Sequence, residues 1–275
     1  MTIFAIKLLN TLLPIFYIVV TINYGLYFFK DDPFFEKVLR PLLSISISFH
    51  IIYTILRSIT FKHFPIASIF ELLSILALAV ILVYFYIEYK IGVKSTGFFV
   101  LIIVFLFQTL SSANITYSSE IEPILRSAYV VIHSGTAAFG YSAFSIAALY
   151  GIMYLMLFYD IKSKHFGIIY KRLPSLETLD EMNYKASYIG FFFLTLSLIA
   201  GGIWLFKVIH QKSIFDPKII VAIFTWIIFG ISCVIKRFFG RGGIITSYLS
   251  FFGFMVIIFS MVIVNIFLTT FHIFY

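Results

Sequence analysis

His133 and His272 are the two side chains best placed in this chain to hold a metal-centred ligand at a fixed depth. Each stands near the end of a long apolar run, 127–158 for the first and 244–271 for the second. Threading the runs through a bilayer puts both at the same edge. Imidazole nitrogens are good metal ligands, and two at one level on different helices suit the opposite faces of a haem iron. Zinc fits less well: a structural site wants four ligands, and the single cysteine, Cys233, lies inside another run. One interfacial histidine by itself is most often solvated by head groups, so the pairing carries the weight.

The surroundings of the two histidines differ from generic membrane helix. Around the first the chain reads IHSGTAAFGYSAF, where His133, Ala137 and Tyr141 recur at four-residue spacing and share a helix face. Ser134, Gly135, Thr136, Ala138 and Gly140 flank that face, and small residues let a helix or a planar group come close to the backbone. Asn265 and His272 are seven apart on one face, and a polar side chain deep in lipid usually faces protein. His63 and His210 also fall at that edge, His165 falls in a loop on the other side, and His50 lies deeper in the second run, where helix packing is its expected role.

The elements that must position these residues are membrane helices. The chain is 61% apolar and 12% charged with a mean hydropathy of +1.06, too apolar for a soluble domain of 275 residues. Eight runs are long enough to cross: about 8–29, 41–60, 69–89, 97–111, 127–158, 186–209, 219–238 and 244–271. The apolar residues are continuous rather than alternating, which excludes a strand barrel. The expected fold is all-α, one integral-membrane domain over 1–275 built as a bundle of about eight transmembrane helices. The first run reads as a retained helix with Lys7 snorkelling, not as a signal-peptide core.

Thirteen of the twenty Lys and Arg residues fall on one side of this threading, five of them in 161–185, and seven on the other. The first side is expected to be cytoplasmic, with both termini outside and His133 and His272 at the outer face of the inner membrane. The net charge of +8 then reflects loop charges facing lipid head groups, not nucleic-acid binding. With one cysteine there is no CxxC and no CxxCH, so neither dithiol redox chemistry nor covalent haem attachment belongs to this chain alone. No Ser/His/Asp set, phosphate loop or carboxylate pair points to hydrolysis, and no internal repeat points to a transporter.

The segment 173–204, LPSLETLDEMNYKASYIGFFFLTLSLIAGGIW, resembles the CcsA (ResC-type) cytochrome c assembly family, where LPSLE-x-LD-x-x-NY leads into a helix ending G-x-IW. KHFPIASIFELL (62–73), LRSAYVVIHSGTAAFGY (125–141) and VNIFLTTFH (264–272) resemble further family segments in the same order, so the likeness covers about 41–275. It implies a CcsA-like, haem-handling membrane protein in which His133 and His272 are axial ligands of a non-covalent b-type haem at the outer face. Tyr141, Asn265, Asp216 and Lys218 are weaker members of that site. The implied partners are membrane lipid, a CcsB-like membrane protein and an apocytochrome c. The chain would be a component of a haem-attachment complex, not an enzyme on its own.

Two departures qualify the resemblance. The family's outward loop, W-G-x-x-W-x-W-D-P-K-E, becomes IHQKSIFDPKI (209–219): Ile209, Ser213 and Phe215 replace three tryptophans, Ile219 replaces the glutamate, and Asp216, Pro217 and Lys218 remain. A membrane-embedded histidine expected nine residues beyond Thr225 is Val234. These changes resemble the HemX-like branch, which implies an alternative role as a membrane regulator of tetrapyrrole synthesis without haem transfer. Among residues with weaker claims, Glu71 is expected to cap a helix. Arg126, Lys212 and Lys218 are outward cations able to meet propionates. Glu177, Asp180 and Lys185 are expected on an interfacial segment, where they could dock a partner.

Overall fold

The computed structural model describes residues 2–117, 127–205, 217–240 and 242–260. These residues form helices and connecting turns with no strand, as an all-α membrane bundle requires. In chain order the helices are α1 (Thr2–Lys30), α2 (Pro33–Phe61), α3 (Ile69–Ile91), α4 (Gly97–Asn114), α5 (Ala128–Lys162), α6 (Ile168–Arg172), α7 (Leu176–Trp204), α8 (Pro217–Phe239) and α9 (Ile244–Phe259). Among the described residues seven helices, all but α6 and α9, are long and apolar enough to cross a membrane. The eighth expected run begins as α9, and its remainder lies outside the described residues.

Helix boundaries follow local chemistry. Asp32 caps α2 by accepting the Phe34 N–H at 2.8 Å, with Pro33 at the first helical position where no N–H is needed. Ser68 and Ser175 cap α3 and α7 in the same way. The Ser175 cap starts α7 well before its apolar stretch, so the polar LETLDEMNYK segment is helical rather than a loop.

The chain packs as two compact units, residues 1–127 with 171–173, and residues 128–170 with 174–275. In the first, α1 packs on α2 and α4, and α3 packs on α4. Its interior holds polar side chains at three levels. At one level the Glu88 carboxylate, 1% exposed, accepts bonds from the Tyr24 and Tyr84 hydroxyls at 2.8 and 2.6 Å and from Arg40 Nε at 3.2 Å. At a second level Ser74 of α3 donates its hydroxyl to Gln108 Oε1 of α4 at 3.0 Å, so its lone pair takes the His50 Nε2–H from α2 at 3.0 Å. That leaves His50 Nδ1 to accept the Tyr17 O–H at 2.7 Å. Gln108 continues the chain by donating to Ser112 Oγ at 2.9 Å.

At the third level Arg57 and Glu71, both buried, form an ion pair: Nη2 and Nε lie 2.6 and 3.2 Å from Glu71 Oε1. Arg57 also donates to the Thr116 carbonyl at 2.6 Å, and its guanidinium lies over the Phe61 and Tyr117 rings. The capping expected of Glu71 is therefore one part of its work. Its Oε2 accepts the Ala67 N–H at 2.8 Å, but its main partner is Arg57, a cation that the sequence places near the end of the second apolar run. A buried ion pair carries a desolvation cost of several kcal/mol per ion; hydrogen bonds on both partners offset it here, although Arg57 Nη1 is buried with no hydrogen bond among the described residues.

In the second unit α5 packs along α7, with α9 against α5 and α8 against both α7 and α9. The α5–α7 seam is built on glycine. A Cβ on Gly140 would meet the Leu194 backbone nitrogen at 3.1 Å, and one on Gly190 would meet the Phe144 ring at 2.4 Å. Asn183 ties three helices together, donating to the Ala147 carbonyl at 3.0 Å and accepting from the Ser250 hydroxyl at 3.1 Å. Asp180 holds the α8–α9 turn: it accepts the Gly243 N–H at 2.6 Å and the Thr246 hydroxyl at 3.2 Å, and pairs with Lys236. Gly243 is fixed by its φ of 78° and by Tyr154, whose hydroxyl a Cβ would meet at 2.5 Å. Asp180 is thus an internal tether and not the exposed partner-docking carboxylate that the sequence also allowed.

Candidate functional site around His133

His133 lies in the second turn of α5 and turns toward α7. Its Nδ1 is 2.9 Å from the Ser197 carbonyl and 3.1 Å from the Ser197 hydroxyl, which donates in turn to the His133 carbonyl at 2.9 Å. A carbonyl oxygen only accepts, so Nδ1 carries the ring proton. In the neutral ring Nε2 is then an unprotonated lone pair, and it makes no hydrogen bond among the described residues. A backbone-anchored Nδ1–H with a bare Nε2 is the arrangement that orients histidine as an iron or zinc ligand.

Gly201 makes this arrangement possible. A Cβ there would lie 2.7 Å from His133 Nδ1 and 2.9 Å from Cε1, inside contact distance of a ring that cannot compress. At the neighbouring Gly202 a Cβ would meet nothing within 4 Å among the described residues. Ser197, Gly201 and Trp204 recur at i, i+4 and i+7 along α7 and so share the face that receives His133. The Trp204 indole Nε1–H is buried with no partner among the described residues, so an acceptor there would be favoured. Sequence reasoning met Gly201 and Trp204 only as the G-x-IW end of the family-like segment, passed over Ser197, and gave none of the three a role at His133. The signal that would have found them is the Gly201–Gly202 pair inside an apolar run, since consecutive glycines in a membrane helix mark close approach.

The other site residues are distributed as follows. Tyr141 lies two turns along α5 from His133, half-buried, and its hydroxyl has no hydrogen bond among the described residues. Lys218 stands in the first turn of α8. His272, Asn265 and Asp216 lie outside the described residues, as do Arg126, Ile209, His210, Lys212, Ser213 and Phe215. The structure therefore gives the geometry of one proposed ligand and leaves the other undescribed.

Three other histidines lie among the described residues. His50 uses both ring nitrogens for hydrogen bonds within the first unit, as a packing residue does. His63 is buried in the α2–α3 connection, where Nδ1 donates to the Phe64 carbonyl at 2.9 Å; its Nε2, 4.0 Å from Glu71, makes no hydrogen bond among the described residues, so its ring is anchored as that of His133 is, but inside the first unit. His165 is exposed beside Asp160 at 3.6 Å. Val234 is 46% exposed on α8, so the position of the missing family histidine points away from the helix packing of its own unit. Among the described residues no three His, Cys, Asp or Glu side chains cluster as a metal site.

A haem fits what is described here in one respect: His133 offers a single, oriented nitrogen on a rigid helix. The chain is 25% identical over 236 residues to the cytochrome c biogenesis protein CcsA of Heterosigma akashiwo (strain NIES-293 / 8280G21-1), covering 73% of each chain. It is 27% identical over 220 residues to CcsA of Guillardia theta, again covering 73% of each. It is also 28% identical over 161 residues to the protein HemX of Brevibacillus brevis, covering 58% of this chain and 59% of that one. The profile described as Cytochrome C assembly protein matches residues 66–272, a span from the α2–α3 connection to His272, and the chain belongs to that family.

Proposed function

We propose that this protein binds a b-type haem non-covalently, with His133 Nε2 and His272 as axial ligands. The site stands at the outer face of the inner membrane, with both termini outside. Tyr141, Asn265, Asp216 and Lys218 are its secondary contacts. Acting with a CcsB-like membrane partner, the protein presents haem to the thiols of an apocytochrome c, and attaches none by itself. The observation that carries this reading is the His133 ring, whose Nδ1–H is bound to the α7 backbone and whose Nε2 makes no hydrogen bond among the described residues. When bound, the haem supplies the vinyl groups that cytochrome thiols attack. This chain's residues hold and orient it.

A second reading has its own support. The likeness to HemX and the replacement of three tryptophans by Ile209, Ser213 and Phe215 favour a regulator of tetrapyrrole synthesis that transfers no haem. Deletion of the gene separates the two. Loss of holocytochrome c with unchanged tetrapyrrole precursors supports assembly. Altered precursor levels with normal holocytochrome c overturn it in favour of regulation.

A further inference from the structure

We infer that α7 provides a seat that fixes both the tautomer and the orientation of His133, with Gly201 and Ser197 as its positioning residues. The consequence for a bound iron rests on the haem reading above, whereas the seat itself rests only on geometry. Three observations on two helices carry it. The Ser197 carbonyl takes the Nδ1–H at 2.9 Å. The Ser197 hydroxyl bridges Nδ1 and the His133 carbonyl at 3.1 and 2.9 Å. Gly201 leaves the space that the ring edge fills, where any side chain would intrude to 2.7 Å.

Each feature removes a freedom the ring would otherwise have. The carbonyl forbids the alternative tautomer, because an unprotonated Nδ1 would set two lone pairs against each other. Contact with α7 restricts rotation about the side-chain torsions, so Nε2 points in one direction. A carbonyl acceptor on Nδ1–H also makes Nε2 a stronger donor to a metal, which favours ferric over ferrous iron. Ligand strength at His133 is therefore controlled from α7, by residues that hold the ring at Nδ1 and along its edge.

Nitrogen NMR of the haem-free protein, labelled at histidine and held in detergent, tests the seat directly. His133 is expected as the Nδ1–H tautomer, and Gly201→Ala is expected to give the tautomer mixture of a solvated imidazole. Gly202→Ala, where the added methyl meets open space, should leave the wild-type signal. Haem titration tests the consequence. Gly201→Ala should weaken binding by about tenfold or more and raise the reduction potential, the size of effect seen when a ligand's outer partner is lost. Ser197→Ala keeps the carbonyl and should weaken binding by no more than about threefold.

In a His133→Ala background Gly201→Ala should cost nothing further, since the two residues act as one unit. An Nε2–H tautomer in the wild-type protein overturns the proposal. So does an equal loss from Gly201→Ala with and without His133, which would mean damage to α7 itself. If the wild-type protein takes up no haem while the NMR result holds, the haem reading fails and the seat stands.

Discussion

The Nδ1–H of His133 and the hydroxyl of Ser197 each donate to the backbone carbonyl of the other residue, both at 2.9 Å. This reciprocal pair joins α5 to α7 at the turn where Gly201 lets the ring in. Across membrane helices, where lipid is as apolar as any side chain, association depends on such close contact and on hydrogen bonds rather than on the hydrophobic effect. The same seam that assembles the second unit therefore also orients its candidate ligand.

Asp180 should matter for stability rather than for a partner. Asp180→Ala leaves Lys236 and the Gly243 N–H without their acceptor, while the Thr246 hydroxyl keeps the Gly243 carbonyl. Loss of hydrogen bonds to a largely buried charge costs about 2–3 kcal/mol. Thermal unfolding in detergent should show a clearly lowered midpoint, and Lys236→Met in the same chain should recover part of it. An unchanged midpoint would mean that the α8–α9 turn does not depend on this tether.

His50 should be dispensable for haem and not for packing. Both of its nitrogens are bonded, to Tyr17 and Ser74, so no lone pair remains for iron. His50→Phe should lower stability by roughly 1–2 kcal/mol through the stranded hydroxyls. Haem content of the purified protein should stay at the wild-type level. Loss of haem from a variant that remains folded would place a second ligand in the first unit and revise the site.

The helices were largely legible in the sequence because lipid demands long apolar runs, and the runs read from composition return as α1–α5, α7, α8 and the start of α9. What composition could not show is which polar residues are interior. Arg57 counts in the sequence only as one of seven cations on one side, near the end of the second run, yet it is 1% exposed because Glu71, fourteen residues on, comes back to meet it. Asp180 and Asn183 belong to the segment that carries the family likeness most specifically. Their bonds to α8, α9 and α5 show that the segment does structural work as a helix tie. His133 was legible as a candidate by position. Its tautomer and seat depend on α7, 64 residues away in the chain, and no local pattern encodes that distance.

The altered outward loop should limit synthase activity. Ile209, Ser213 and Phe215 offer one aromatic ring where family relatives are expected to carry three indoles, and each lost ring costs roughly 1 kcal/mol in stacking. Expressed in a strain lacking its CcsA, this chain should restore little holocytochrome c. Ile209→Trp, Ser213→Trp and Phe215→Trp together should raise haem occupancy. Normal holocytochrome c from the unmodified chain would show that the loop is not limiting.

The absorbance spectrum of the purified protein bears most directly on the haem assignment. Bis-histidine ligation by His133 and His272 predicts a low-spin Soret band with split α and β bands on reduction. His133→Ala and His272→Ala should each lose most of that haem, and exposed His165→Ala should lose none. Equal haem in all three variants, or no haem in the wild-type protein, would contradict the assignment.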